Sequence, residues 1–269
     1  MAIVSIIGAG RIGAALAERA RNADLPVDLI TRTDGWEGLR SSEGPVLVAV
    51  RNDGLGEVVE RTPEPRRRDL VFVQNGAIRE RLAELGVGDA DRGLVYFLVA
   101  SRGGPVVGGQ ASIFTGRLAD EVAAWFRALG LAARAVDRAT FPAYEWEKHV
   151  WIAAHGVLCP ALAATVGEVG TTHRTQLMEL VAEWAAVGEA EWGVRTPPDE
   201  LVGRLTVYSA EIQDYRPTLK AFDDRNGWFV DAAARRGLPA GVHLRLVEQA
   251  DAELGAQARE RYRAISRGR

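Results

Sequence analysis

An apolar run from Ala2 to Ile7 leads directly into Gly8-Ala9-Gly10-Arg11-Ile12-Gly13 and then into the helix-forming stretch Ala14 to Ala20. Branched and small apolar side chains alternating over residues 2–7 read as a buried parallel strand. A G-x-G-x-x-G by itself is a weak signal, because glycine-rich turns are common; between a strand and a helix it points to a dinucleotide. Gly8 allows the tight turn, Gly10 lets the backbone approach a pyrophosphate, and Gly13 lets helix and strand pack closely. The anion then meets unpaired N–H groups and the positive end of the helix dipole, with Ala9, Arg11 and Ile12 lining the same turn. An ordinary strand-to-helix turn without a ligand is the competing reading.

The second strand, over 27–31, bears on which dinucleotide. Enzymes that use NAD place a carboxylate at its C-terminal tip to accept hydrogen bonds from the ribose hydroxyls. Here the tip carries Arg32, with Asp28 inside the strand and Asp34 beyond the arginine. Arg51 follows the third strand, over 46–50, and its planar fork of donors suits the same 2′-phosphate. NADP is therefore the expected cofactor, unless both arginines are simply solvated loop residues.

Strand and helix then alternate: strands at 2–7, 27–31, 46–50, 69–73, 93–99, 111–115 and 131–136, helices at 11–21, 53–60, 77–84 and 118–128. That order predicts an α/β domain built on a doubly wound, Rossmann-type parallel sheet. Past Phe141 the pattern becomes helical throughout, over 142–166, 172–192, 199–214, 222–236 and 242–264. The expected division is a dinucleotide-binding domain over 1–137 and an all-helical substrate or dimerisation domain over 138–269, with a cleft between them. A turn-rich segment, Arg102 to Gly109, lies between two of the strands.

Composition narrows the function classes. With 269 residues and 47% apolar content, the chain can bury full cores. A net charge of −3 and a pI near 5.9 leave no footprint for nucleic acid. Cys159 is the only cysteine, so no intrachain disulfide can form, and four scattered histidines offer no metal-ligand spacing. Neither a leader nor a stretch of bilayer length is evident, and the expectation is a cytoplasmic protein, monomeric or homodimeric.

Chemistry is expected at two places. The loop after strand four reads Gln74-Asn75-Gly76, and the Asn75 amide can serve a nicotinamide, a ribose or a substrate oxygen, or merely form a turn. On the helix from Pro142, positions 148, 152, 155, 156 and 159 share one face, so Lys148 heads a stripe that is small or apolar apart from His155. Desolvation there would lower the lysine pKa and allow proton donation near neutral pH. The competing reading is a lysine that reaches water from a core helix.

Taken together, Gly8/Gly10/Gly13, Arg32, Arg51, Asn75-Gly76, Trp146-Glu147-Lys148, Ser209 and Asn226-Gly227 resemble, in order and spacing, the ketopantoate reductase family. The resemblance implies hydride transfer from NADPH to the carbonyl of a small 2-keto acid or a related carbonyl or imine compound. It also implies Lys148 as general acid, Ser209 as a substrate contact, and Asn75 positioning cofactor and substrate. Where that family carries asparagines four and eight residues after the lysine, this chain has Ile152 and Gly156. The family's glutamate before the Asn-Gly has no equivalent either: Ala221 stands there counting back from Asn226, and Leu219 counting forward from Arg216. His155, Asp223 and Asp224 are candidates to replace the lost polar groups. Two other readings remain open: a 3-hydroxyacid dehydrogenase-like enzyme, whose K-x-x-x-N pattern Ile152 breaks, and an NADP-binding redox sensor or regulatory protein without turnover.

Overall fold

In the computed structural model, residues 3–36, 39, 43–99, 101, 103–107 and 109–268 are described. Ala2, where the first strand was expected to begin, and Arg102 and Gly108 of the turn-rich segment lie outside them. The chain divides into two compact units, Met1–Phe141 and Pro142–Arg269.

The first unit runs β1 (Val4–Ile7), α1 (Arg11–Asn22), β2 (Val27–Ile30), β3 (Val46–Val48), α2 (Leu55–Arg61), α3 (Glu64–Arg67), β4 (Leu70–Phe72), α4 (Arg79–Glu84) and β5 (Asp91–Leu94). It continues with β6 (Leu98–Val99), β7 (Val106–Val107), β8 (Ser112–Thr115), α5 (Ala119–Ala128) and β9 (Ala133–Ala135). Seven strands form a sheet in the order β2-β1-β3-β4-β5-β8-β9, and β6 pairs with β7 apart from it. Successive strand residues face opposite sides, so each strand feeds two cores. Val4, Ile6, Leu47 and Val71 pack with Leu16 of α1 and Trp125 and Phe126 of α5. Ile7, Val46, Val48, Leu70 and Phe72 pack on the other face with Leu55 and Val58 of α2 and Leu82 of α4. Each such side chain stabilises the fold by about 1.5–3 kcal/mol.

The sheet differs from the expected one in two respects. From β2 through β5 the neighbours are parallel, but β8 runs antiparallel to β5 and β9 follows β8. A parallel return needs a crossover, usually a helix; among the described residues the segment from β5 to β8 holds only the β6–β7 hairpin, and the chain returns in the opposite direction. The strand expected over 93–99 begins instead at Asp91, whose buried carboxylate accepts the backbone N–H groups of Arg117 and Leu118 at 2.8 and 2.6 Å.

The second unit holds α6 (Phe141–Ala161), α7 (Val166–Gly170), α8 (Arg174–Trp192), α9 (Pro198–Ser209), α10 (Asn226–Arg236), α11 (Gly241–Ala250) and α12 (Ala252–Arg267). Two long helical stretches are split relative to the expectation. The stretch 142–166 stops at Ala161, and Thr165 with Glu168 starts α7 through a reciprocal capping box. The stretch 242–264 breaks at Asp251, whose carboxylate accepts the Leu254 N–H and caps α12. The core is aromatic. Trp184 stacks on Phe229 with ring centroids 3.8 Å apart, and His149 stacks on the same phenyl ring at 4.8 Å. Trp146 packs against Phe229 and Trp192, both at 5.6 Å, which fixes the first turns of α6. Among the described residues no helix is long and apolar enough to cross a membrane.

Candidate active site

At the end of β1 the chain turns through Gly8, whose φ of +110° is open to glycine and strained for other residues. A Cβ on Gly13 would lie 1.9 Å from the Gly8 carbonyl oxygen, so helix α1 can approach the strand only through glycine there. Gly10 is the N-cap of α1, no side chain caps that end, and no acidic residue occupies the first turn. With β2 on one side of β1 and β3 on the other, the strand order reverses at this loop, which is where open α/β sheets bind ligands. The cradle therefore fits a pyrophosphate held by backbone groups.

Arg32 is exposed in the turn that follows β2. The Asp34 carboxylate accepts the Thr31 N–H at 2.7 Å, and this backbone bond holds its carboxyl below the ordinary range. The acid nearest the strand tip is thus committed to its own turn. Arg61 of α2, which sequence reasoning missed, braces that turn: its guanidinium donates to the carbonyls of Arg32 and Asp34, each at 3.3 Å, and lies 4.4 Å over the Trp36 ring. Arg51 is 88% exposed and sits 3.4 Å from Asp53, itself 69% exposed, a pair of little energetic weight. Asn75 is exposed; its carbonyl accepts the Asn52 amide at 3.1 Å. Gln74, another residue sequence reasoning missed, is buried and donates to the carbonyls of Val48 and Val50. It ties the loop after β4 to the end of β3.

In the helical unit, Lys148 is only 5% exposed. Burial, and then the charge of Arg225, bring its pKa down to about 7. Ile152, one turn on, is half-buried and His155 is buried. The His155 Nδ1 lies 2.9 Å from the Trp151 carbonyl, which puts the proton on Nδ1 and leaves Nε2 as an acceptor. Ser209 receives the Trp151 indole N–H at 2.9 Å and donates to the Leu205 carbonyl at 2.8 Å, with His155 Nε2 at 3.4 Å. At 3% and 1% exposure, Ser209 and His155 are withdrawn from solvent, and their bonds join α9 to α6. Ser209, which the resemblance makes a substrate contact, and His155, a candidate for a lost polar group, are thus both engaged in bonds inside the helical unit.

Asn226 is likewise internal. Its amide donates to the Ala153 carbonyl at 3.3 Å and its oxygen lies 2.9 Å from His243 Nε2. A Cβ at Gly156 would be 3.7 Å from both the Asn226 amide and the Thr218 carbonyl, so those groups occupy the space beside it. Asp223 is paired with Arg261 at 2.6 Å. Ala221 adopts a left-handed φ of +48°, costing about 1 kcal/mol for a residue with a Cβ. The Cys159 thiol is pushed up to about 12 by burial, which excludes a thiolate nucleophile near neutral pH. No cluster of groups able to hold a metal ion occurs among the described residues.

Solved structures share this architecture over nearly the whole chain. D-mandelate dehydrogenase in complex with NADH and anilino(oxo)acetate superposes with a TM-score of 0.72 at 15% identity, covering 96% of this chain and 99% of that one. A PanE/ApbA-family ketopantoate reductase from Ralstonia eutropha gives 0.68 at 18% identity, covering 98% and 99%. The dimeric ketopantoate reductase from Staphylococcus aureus gives 0.69 at 15%, again covering 98% and 99%. The fold is that of ketopantoate reductases and D-mandelate dehydrogenase. No protein-family model matches the sequence, and no curated protein matches it.

Proposed function

We propose that the protein is an NADPH-dependent reductase that transfers hydride to the carbonyl carbon of a small 2-keto acid, with Lys148 as the general acid. The observation that carries this reading is Lys148 itself, a buried lysine whose pKa of about 7 makes it a proton donor at neutral pH. The glycine cradle at the end of β1 would hold the pyrophosphate of the cofactor, which supplies the hydride when bound. As hydride reaches carbon, the electron pair of the C=O bond moves to oxygen, and the Lys148 ammonium gives that oxygen a proton. An ammonium aimed at a developing alkoxide favours the transition state over the ground state.

Arg32 and Arg51 support NADPH over NADH, being exposed cations, while the neighbouring Asp34 is occupied by Thr31. Ile152 offers a methyl surface one turn from Lys148, which favours a substrate with an apolar side chain and disfavours ketopantoate, whose hydroxyl would find no amide there. The test is NADPH oxidation across 2-keto acids with apolar and with hydroxylated side chains, alongside calorimetric titration of NADPH and NADH. Turnover of the apolar acids, and tighter binding of NADPH, are expected. Tight NADPH binding without turnover of any carbonyl compound would favour the sensor reading instead, and equal affinity for both cofactors would remove the role given to Arg32.

A further inference from the structure

Arg225 stands out among the arginines of the helical unit. It precedes α10 in a non-helical conformation, φ −125° and ψ −97°, with its N–H bonded to the Phe222 carbonyl at 3.1 Å. Its Nε is buried and has no hydrogen-bond partner. Arg261, by contrast, sets its guanidinium against the carboxylates of Asp231 and Asp223. A guanidinium is a set of fixed N–H donors that never gives up its charge, so a buried donor without an acceptor marks a place where an acceptor is missing.

The surroundings say what that acceptor is. Asn226, next in the chain, donates to the Ala153 carbonyl and so fixes the start of α10 against α6 within two turns of Lys148. The charge of Arg225 is felt at both Lys148 and His149, holding each below its ordinary pKa, although burial is the larger cause for both. Burial keeps His149 neutral, and the residues that act on Arg225 in turn are Tyr215 and Asp224. Lys148 in α6 and Arg225 at the start of α10 are thus two cationic side chains within electrostatic reach of each other, the charge pattern that suits a ligand bearing both a carbonyl oxygen and a carboxylate.

We propose that Arg225 is the carboxylate-binding residue of the site, gripping the acid group of a 2-keto acid while Lys148 faces its carbonyl oxygen. The ligand class rests on the reductase reading above; the anion site itself rests on the buried, partnerless Nε of Arg225. A planar fork suits two carboxylate oxygens at once, which a lysine ammonium cannot reproduce. In this arrangement the polar recognition absent from positions 152 and 156 of α6 is supplied from the loop before α10.

The experiment uses oxamate, an unreactive mimic of a 2-keto acid, and tryptophan fluorescence, since Trp228 lies three residues from Arg225. Wild type, Arg225→Ala and Arg225→Lys are titrated in the presence of NADPH, and the helical circular-dichroism signal and urea midpoint of each variant report that it is folded. Oxamate affinity should fall by about thirtyfold or more in the alanine variant and by less in the lysine variant, as expected for losing a charge-assisted bidentate contact. In steady-state assays KM for the keto acid should rise more than kcat falls, while KM for an uncharged 2-keto amide, which has no carboxylate for Arg225 to hold, should rise far less in both variants. Equal oxamate affinity in wild type and Arg225→Ala, no oxamate binding by wild type, or equal losses for keto acid and keto amide would overturn the proposal. Oxamate binding that depends on Arg225, without NADPH oxidation by any 2-keto acid, would uphold the anion site and overturn the reductase reading. Turnover of 2-keto acids with an unchanged KM in Arg225→Ala would do the reverse.

Discussion

In the sheet unit the candidate ligand contacts are mostly backbone groups at strand ends, whereas in the helical unit they are the tips of side chains from elements far apart in sequence. The Gly8–Gly13 turn works because atoms are absent: a Cβ at Gly13 would meet the Gly8 carbonyl at 1.9 Å. The lowered pKa of Lys148 depends on what surrounds it, namely burial and the charge of Arg225, which comes from a distant part of the chain. The first kind of site is written in a dozen consecutive residues. The second exists only after the helices have packed.

The sharpest way to break this comparison is to put atoms into the glycine turn. Gly13→Val should destabilise the sheet unit by about 3 kcal/mol or more, since a backbone carbonyl has nowhere to move, and abolish NADPH binding. Gly10→Ala is the control, because a Cβ there would lie 3.9 Å from the nearest atom, the Ala49 carbonyl oxygen. Urea unfolding of both variants checks the prediction; equal stability would show that the close approach is not what the motif is for.

Lys148→Ala probes the other side. Loss of a general acid should lower kcat by about a hundredfold, equivalent to about 2.7 kcal/mol, with NADPH affinity nearly unchanged. A parallel fall in NADPH affinity, measured by fluorescence titration, would mean that the two units do not divide the work as described.

A smaller effect separates the units by pH. His149, His155 and His243 are held down to about 3, about 4 and about 3 by burial. Unfolded, each takes a proton below about pH 6.5; folded, each stays neutral to its lowered value, so the unfolded chain binds more protons in between. Stability of the helical unit is therefore complete above about pH 6.5 and lost as pH falls toward 4. Neither ring nitrogen of His149 has a partner, so His149→Leu removes its titration without breaking a bond. Denaturation as a function of pH should show a slope reduced by up to about 1.4 kcal/mol per pH unit in that variant. An unchanged slope would mean that His149 is protonated or hydrated in the native state.

The smallest effect concerns Arg61, which braces the turn carrying Arg32. Arg61→Ala should weaken NADPH binding by about 0.5–1 kcal/mol, NADH binding less, and so narrow the preference between them. Calorimetry that found both cofactors weakened alike would make Arg61 a general support of the unit.

Legibility in the sequence follows the same division. The glycine turn, the buried strands and the helix carrying Lys148 were readable because each depends on neighbours a few residues away. The direction of β8 was not, since alternation marks a strand without saying which way it runs. The ends of α6 and α11 were spelled locally, by Thr165 with Glu168 and by Asp251, yet apolar spacing continued across them and masked the caps. Gln74, Arg61 and Arg225 act on residues roughly 25 to 75 positions away in the chain, and no spacing rule reaches that far. Ser209, by contrast, was visible as a motif residue, and its place within the Trp151 and Leu205 bonds became clear only from the packing.

The central claim is that Lys148 enters the reaction protonated, and the pH dependence of kcat/KM for 2-keto acid reduction by NADPH tests it most directly. With the lysine pKa at about 7, the wild-type profile should be highest in mildly acidic solution and fall tenfold per unit above pH 7, and that limb should be missing from the residual rate of Lys148→Ala. A rate that stays level or rises between pH 7 and 9 would contradict the account, because the deprotonated amine would then be the working form or no form of Lys148 would be working at all.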